Sequence, residues 1–399
     1  MISSAYIFIE GVEDQPIVCG RFELDSQNDV GRFVYGRSYL DRNNAFALDP
    51  IHLPLNEQTH TCLINRGMFG VFSDAGPDSW GRKLMAQLHN TAPQNELEYL
   101  IAGASMGVGA LSFSLSRSQT KLKRPRNSVT DIGLLLQGKN AILAAEQVSD
   151  EVRQAFVYGS SMGGARPKTL LTHNGQDYLV KFNKNDDLFN VARVEHATMQ
   201  MLAELDGVNV AHTEVLEGDE DLLLVQRFDR KDEQTSHHFI SANSLLHEGT
   251  VSQLSLRSSY SYGRLAELAR THSVISNDGR ELFKRMVFNV FIGNTDDHAR
   301  NHAMIYSLRS GGWQLSPAYD VLPISNSRQH SVGIGDKGRY GSIENMLSQA
   351  SRFGLKEFKA RRIVDEIRDL VTQWPAYMAS CNVKEADITR LKSVIPIIS

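Results

Sequence analysis

Cysteine is scarce in this chain of 399 residues: Cys19, Cys62 and Cys381 lie far apart, are odd in number and form no Cys-x-x-Cys pair. That argues against a disulfide framework and against a cysteine zinc site, and a reducing cytoplasm is the compartment that fits best. Long apolar runs are missing as well. None approaches the roughly 18 to 20 residues that span a bilayer, so no membrane role is expected. The opening Met-Ile-Ser-Ser-Ala-Tyr lacks a basic stretch ahead of an apolar core, so a secretory leader is not expected either. Neither sign of charge is in excess, since 42 Lys+Arg stand against 46 Asp+Glu, for a net −4. This balance argues against a uniformly basic nucleic-acid coat and leaves room only for a local basic patch. No internal repeat or low-complexity tract is evident. What remains, 41% hydrophobic and 22% charged residues, is the composition of a globular protein. The length, about twice that of one domain, predicts two or three packed units.

Patterning along the chain mixes strands and helices. Short β-prone runs occupy residues 5–9 and 32–35. Trp80, Leu84, Met85 and Leu88 recur at helical spacing after Ser79, a candidate N-cap, and a second helix is expected over 96–104. Residues 116–128 carry Arg117, Lys121, Lys123, Arg124 and Arg126 without an acid, which reads as a solvated linker. Helices are expected over 132–136 and 141–156. They lead into Tyr158-Gly-Ser-Ser-Met-Gly-Gly-Ala-Arg-Pro-Lys168. A hairpin follows, with strands at 169–172 and 177–182 around His173-Asn174-Gly175, because Asn-Gly favours the tight turns that join antiparallel strands. Beyond it come an amphipathic helix over 191–205, an apolar strand over 221–228 and a mostly helical remainder from 258. Strands at 303–306 and 313–315 interrupt that remainder.

The residues with chemical content fall in a telling order. Asn294-Thr-Asp296-Asp297-His298-Ala-Arg-Asn301 is followed by Ser316-Pro-Ala-Tyr-Asp320. Phosphoryl transfer from ATP needs a carboxylate that orients the acceptor hydroxyl and oxygen ligands that hold Mg²⁺ against the phosphates. Protein kinases supply these as an Asp, an Asn five positions later and a second Asp beyond a short hairpin. Asp296 and Asn301 have that spacing, which prefers Asp296 to Asp297. The strands on either side of Gly311-Gly312 would fold Asp320 back beside Asn301. Upstream, Gly159, Gly163 and Gly164 flank Ser160 and Ser161, and glycines let backbone N–H groups approach phosphate closely. The segment is not a P-loop, since Ala165 stands where Lys would follow, and it lacks the G-x-G-x-x-G spacing. Lys181, at the end of the second hairpin strand, is where a kinase keeps its phosphate-binding lysine, with Glu195 a possible partner. Gln226 to Phe228 follow an apolar strand, as an adenine-contacting hinge would.

Together these features resemble the HipA family of bacterial serine/threonine kinases, the toxins of type II toxin–antitoxin systems. The resemblance covers nearly the whole length. It includes Phe33-Val-Tyr-Gly-Arg-Ser-Tyr-Leu40 through Leu53-Pro-Leu55, Phe72-Ser-Asp-Ala-Gly-Pro-Asp-Ser-Trp-Gly-Arg82, Gly163 to Lys168, Gln226-Arg-Phe-Asp-Arg230, the Asp296–Asn301 loop and Ala318-Tyr-Asp320. It implies an α+β, HipA-like and protein-kinase-like two-lobed fold. An N-terminal α+β subdomain would occupy residues 1–125, a small lobe with the phosphate loop 126–228, and a helical lobe with the catalytic loop 229–399. It further implies Asp296 as catalytic base, Asn301 and Asp320 as Mg²⁺ ligands, and Lys181 on the ATP phosphates. Gly163, Gly164 and Lys168 would form the phosphate loop, and Gln226 and Phe228 the adenine contact. Self-phosphorylation would fall on Ser161, or on Ser160 as the next alignment. The implied partners are a protein target in translation, such as an aminoacyl-tRNA synthetase, and a small DNA-binding antitoxin through which DNA is reached only indirectly. The chain departs from the family pattern at Arg166-Pro167, where Gln-Glu is usual and Pro167 removes a backbone donor. It also departs at Gln226, where Glu is common.

Other readings start from the same residues. A kinase-like fold without phosphotransfer would act by binding antitoxin or DNA, using the basic run from Arg117 to Arg126. A small-molecule kinase would use the same Asp-Asn-Asp arrangement. His298 and His302 stand four apart, as zinc ligands on a helix would, but no Glu follows His298 as in a His-Glu-x-x-His site. Tyr260-Ser-Tyr262 is expected to cap or pack a helix that begins near Arg264.

Overall fold

The computed structural model describes residues 1–77, 79–88, 92–103, 107–121, 126–144, 146–157, 166–247 and 260–396. They group into two compact units. One comprises Met1–Lys181, Gln226–Ile240 and Ile305–Gly311, the other Phe182–Val225, Ser241–Met304 and Gly312–Ser399. Among the described residues no helix is long and apolar enough to cross a membrane.

In the first unit the alternating runs become β1 (Ser4–Ile9), β2 (Ile17–Asp25), β3 (Val30–Tyr35), β4 (His60–Cys62) and β5 (Leu111–Ser114). They form one antiparallel sheet in the order β4-β3-β2-β1-β5. The register puts Phe22 opposite Phe33, and Phe72 meets both rings edge-on at 5.3 and 5.4 Å. Such aromatic pairs contribute about 0.5–1.5 kcal/mol beyond the area they bury. Helices α1 (Ser79–Leu88) and α2 (Glu96–Ala102) follow the sequence expectation closely. Buried Trp80 donates its indole N–H to the Lys168 carbonyl at 3.0 Å, tying α1 to the start of the later hairpin.

The next two helices differ from expectation. α3 runs unbroken over Ile132–Leu143, and α4 begins only at Asp150, ending at Val157. Gly138 does not break α3. A Cβ there would come within 2.5 Å of Val152 and 2.8 Å of Phe156, so the glycine is what lets the two helices pack closely. The basic run is not simply a solvated tether. Residues 122–125 lie outside the described set, but Lys121 donates to the carbonyls of Leu100 and Gly103 at the end of α2, the latter at 2.7 Å. A cation is favoured at that end of a helix. Arg126 pairs with Glu233 and, at 3.5 Å, with Asp177. The hairpin forms as its turn demands: β6 (Lys168–His173) and β7 (Gln176–Lys181) flank Asn174 and Gly175, which both take positive φ, 49° and 73°.

The second unit contains α5 (Val191–Ala203), the hairpin of β8 (Thr213–Leu216) with β9 (Leu222–Gln226) up to Val225, α6 (Tyr262–His272), α7 (Asp278–Ile292), the first two residues of the short strand β10 (Ala303–Ser307), and β11 (Trp313–Leu315). α8 (Glu357–Val371) packs on α7 and α9 (Trp374–Ser380) on α5. Ser261 caps α6, accepting from Arg264 N, so the helix starts at Tyr262 rather than near Arg264. From Leu282 onward every residue of α7 is buried, the polar Lys284, Arg285 and Asn289 included. It ends at Gly293, left-handed at φ 77°.

Candidate functional site

α7 delivers the loop that carries the acids. Past Gly293, the Asn294 backbone N–H returns to Asn289 O at 3.0 Å, and its side-chain amide donates to Asn289 Oδ1 at 3.1 Å. The two adjacent aspartates then part company. Asp296 is exposed. Asp297 is 2% exposed; its Oδ1 accepts from His302 Nε2 at 2.9 Å and its Oδ2 from the Tyr262 hydroxyl. That hydroxyl in turn accepts from Asn289 Nδ2 at 2.9 Å. Burial by itself would raise the Asp297 carboxyl, but the His302 imidazole and the two hydrogen bonds outweigh it and hold the group below its ordinary range. Burial and the neighbouring carboxylate push Tyr262 well up, so it stays a donor. Two further bonds strap the loop from residues 330–331: His330 Nδ1 donates to Asn294 O at 3.2 Å, and Ser331 Oγ to Thr295 O at 3.0 Å.

A single 3₁₀ turn, Ala299–Asn301, separates His298 from His302. Both histidines have extended backbones and His302 Nε2 is taken by Asp297, so the helical histidine pair that zinc would need is not formed. Asn301 is 7% exposed and its N–H donates to His298 O at 2.8 Å. The chain then returns toward it. Ser316 N donates to Ala303 O at 2.9 Å, and the Tyr319 hydroxyl donates to Arg300 O at 2.8 Å. The residues that immediately precede Asn301 and Asp320 are thereby bonded to each other. Asp320 has a φ of 61°, a left-handed conformation that non-glycine residues keep only where the surroundings over-determine it.

Of the other expected site residues, Lys181 closes β7 and pairs in register with Lys168, the first residue of β6. Residues directly opposite in an antiparallel pair share a face, and both lysines are buried, at 9% and 4% exposure. Like charges so placed repel, and the pair is stable only with negative charge close by. Gly163, Gly164, Ser160 and Ser161 lie outside the described residues. Gln226 donates its amide to Gln176 Oε1 at 3.1 Å, and Phe228 stacks on Phe239. Between them Arg227 does structural work that spacing did not reveal. Its guanidinium grips Asp229 through Nε and Nη2 at 2.9 and 2.7 Å, Arg230 joins at 2.9 Å, and both arginines donate to Gly107 O. The pair of cations draws Asp229 down despite its burial, while burial and the like charge of Arg227 lower Arg230 to about 10. Glu195 is 1% exposed on α5.

Asn301 and Asp320 offer an amide oxygen and a carboxylate, the hard donors Mg²⁺ takes when nucleotide phosphates and water complete its shell. No cluster of three or more His, Cys, Asp or Glu side chains among the described residues is arranged to hold a metal. Two such donors would leave the rest of a cation's shell to phosphate oxygens and water.

A profile of the HipA-like C-terminal domain matches residues 160–374, more than half of the chain, and one of the HipA N-terminal domain matches 15–114. The chain belongs to the HipA family. A solved structure of the Shewanella oneidensis MR-1 toxin–antitoxin system HipA, with HipB and its operator DNA, superposes with a TM-score of 0.69 at 16% identity, covering 97% of this chain and 95% of that one. The mixed α+β, HipA-like architecture implied by the sequence is thus observed. A Haemophilus influenzae protein that carries a provisional kinase name is 27% identical over 195 residues, 42% of this chain. The match spans 53% of that relative's length. As a HipA-family member the protein is kinase-like. Sequence reasoning met Tyr262 only as a helix-packing residue, His302 only as a zinc alternative and Arg227 only within the Gln226 to Phe228 hinge, and it did not single out Asn289. The one available signal was a polar residue, Asn289, inside an apolar helical run.

Proposed function

We propose that this HipA-family chain is an ATP- and Mg²⁺-dependent protein serine/threonine kinase and the toxin of a toxin–antitoxin pair. The three segments 1–125, 126–228 and 229–399 would serve as N-terminal subdomain, small lobe and helical lobe. The observation that carries the reading is the division of labour in the loop. Asp297 is committed to Tyr262 and His302, which leaves Asp296 the exposed carboxylate five residues before Asn301. Asp296 would accept a hydrogen bond from the acceptor hydroxyl and orient it. Asn301 and Asp320, tied together through Tyr319 and Arg300, would hold the metal. Mg²⁺ bound with ATP offsets the charge that develops on the transferred phosphoryl. Lys181 and Lys168, facing each other on the hairpin, would supply the opposing positive charge to the phosphates, with Gly163 and Gly164 in the phosphate loop and Gln226 and Phe228 at the adenine.

Self-phosphorylation at Ser161, or Ser160, would follow from the same activity. A small DNA-binding antitoxin is the proposed partner, in line with the HipB and operator DNA of the Shewanella structure, and DNA would be reached only through it. The acceptor would be a protein of the translation machinery, an aminoacyl-tRNA synthetase being the class in view. Transfer of label from γ-labelled ATP to the chain itself or to a cell extract tests the reading. Wild type should label and Asp296→Asn should not; equal labelling by the two would end the assignment of Asp296.

A further inference from the structure

Helix α7 carries a polar stripe at positions i, i+4 and i+8: Glu281, Arg285 and Asn289. Arg285 is 1% exposed. Its Nη2 donates to Ser316 O at 2.6 Å and to Asn209 O at 3.2 Å, and its Nε to Glu281 Oε1 at 3.0 Å. Glu281 also accepts from Asn209 N at 3.0 Å. These bonds fall where residues 209–211 and 316–318 pair, with Ala318 N donating to Asn209 O at 2.8 Å and Ala211 N to Ala318 O at 2.9 Å. One turn further along α7, Asn289 donates to Tyr262 and accepts from Asn294. The helix thus grips both halves of the site: the acid loop through Asn289 and the lead-in to Asp320 through Arg285.

A buried cation on a core helix is a poor device for stability alone, since an apolar side chain of that volume does as well or better. The planar guanidinium fork is, however, held in direction by Glu281 through Nε, which aims Nη2 at the carbonyls of Ser316 and Asn209 in a way a flexible ammonium would not. Asp320, four residues past Ser316, holds a left-handed conformation that only firm surroundings maintain. We propose that Arg285, with Asn289 one turn away, is a positioning residue that sets Asp320 against Asn301 for metal–nucleotide binding. This rests on the reading of Asn301 and Asp320 as the metal-holding pair.

The test uses the full-length chain and Mn²⁺ as probe ion, its free concentration followed by electron paramagnetic resonance during titration in the presence of ADP. Arg285→Lys keeps the charge and loses the fork. It should weaken Mn²⁺ binding about tenfold or more, the usual cost of removing a residue that orients a metal ligand. Any lost buried bond lowers a melting temperature, but only mispositioning changes the ion affinity of folded protein. Wild-type Mn²⁺ affinity in R285K, beside weakened affinity in Asp320→Asn, would overturn the positioning role and leave the metal pair standing. Wild-type affinity in D320N as well would overturn the metal pair and this role with it. Should R285K fail to fold, Glu281→Gln at the rim of the stripe loosens the same guanidinium, and the same two outcomes decide.

Discussion

Replacing Asp297 by asparagine removes the charge and keeps the shape of a carboxylate that is 2% exposed and receives a donor on each oxygen. A hydrogen bond to a charged group contributes about 1.5–3 kcal/mol, against about 1 kcal/mol for a neutral pair. The amide offers one oxygen to two donors, Tyr262 and His302, so one of them is left unpaired in the core. The sum of the weakened bond and the orphaned donor is about 3 kcal/mol for Asp297→Asn. Asp296 is exposed, and Asp296→Asn should stay within about 0.5 kcal/mol of wild type. Its phosphate transfer should nevertheless fall by about 10²–10⁴, the range for loss of a positioned general base. Urea unfolding of the full chain gives the first quantity and label transfer from γ-labelled ATP, at a temperature where both variants are folded, gives the second. The reasoning is refuted if D297N keeps the wild-type midpoint and loses transfer as completely as D296N, because the base would then be Asp297.

Three further outcomes follow from other parts of the molecule. Lys181→Met should cut label transfer about 100-fold or more; a folded variant with wild-type transfer would remove Lys181 from the phosphate site. Asp229→Asn leaves Arg227 and Arg230 buried without their shared counterion and should cost about 3–5 kcal/mol, read as a shift of the urea midpoint; a loss below about 1 kcal/mol would contradict that account. His238, whose Nε2 donates to Leu48 O at 2.8 Å, is lowered to about 4 by burial. Because the unfolded group titrates near 6.5, the unfolded chain takes the proton first. Stability is therefore intact above about pH 6.5 and declines as pH falls toward 4, by about 3 kcal/mol in all. Unfolding free energies across that window should fall less steeply for His238→Gln, and an unchanged slope would refute the assignment.

Much of the secondary structure was legible because the signals that specify it are local. Asn174-Gly175 can take the two positive φ values a tight hairpin turn requires, and the strands appeared on either side of it. The five-residue step from Asp296 to Asn301 singled out one of two adjacent acids, and burial separated the same two. Local signals misled where a long-range contact reversed their meaning. The gap expected between 136 and 141 is helical, and Gly138 within it packs against Val152 and Phe156. Lys121 and Arg126 looked solvated because their acceptors, the end of α2 and the acids Asp177 and Glu233, are distant in sequence.

The amino-acid order alone settled which residue types stand at which intervals: the paired acids before Asn301, the return to Asp320 past two glycines, and a lysine at each end of a hairpin. Spacing along one strand or turn is a property of covalent geometry, so it can be read without coordinates. Folding decided which polar groups are spent on one another. Tyr262 and His302 converge on Asp297, Asn289 donates to Tyr262, and Arg285 reaches Ser316 from 31 residues away. No periodicity encodes such meetings, because a buried donor takes whichever acceptor the packed core brings within 3 Å or so, and that choice is made only when the whole unit closes.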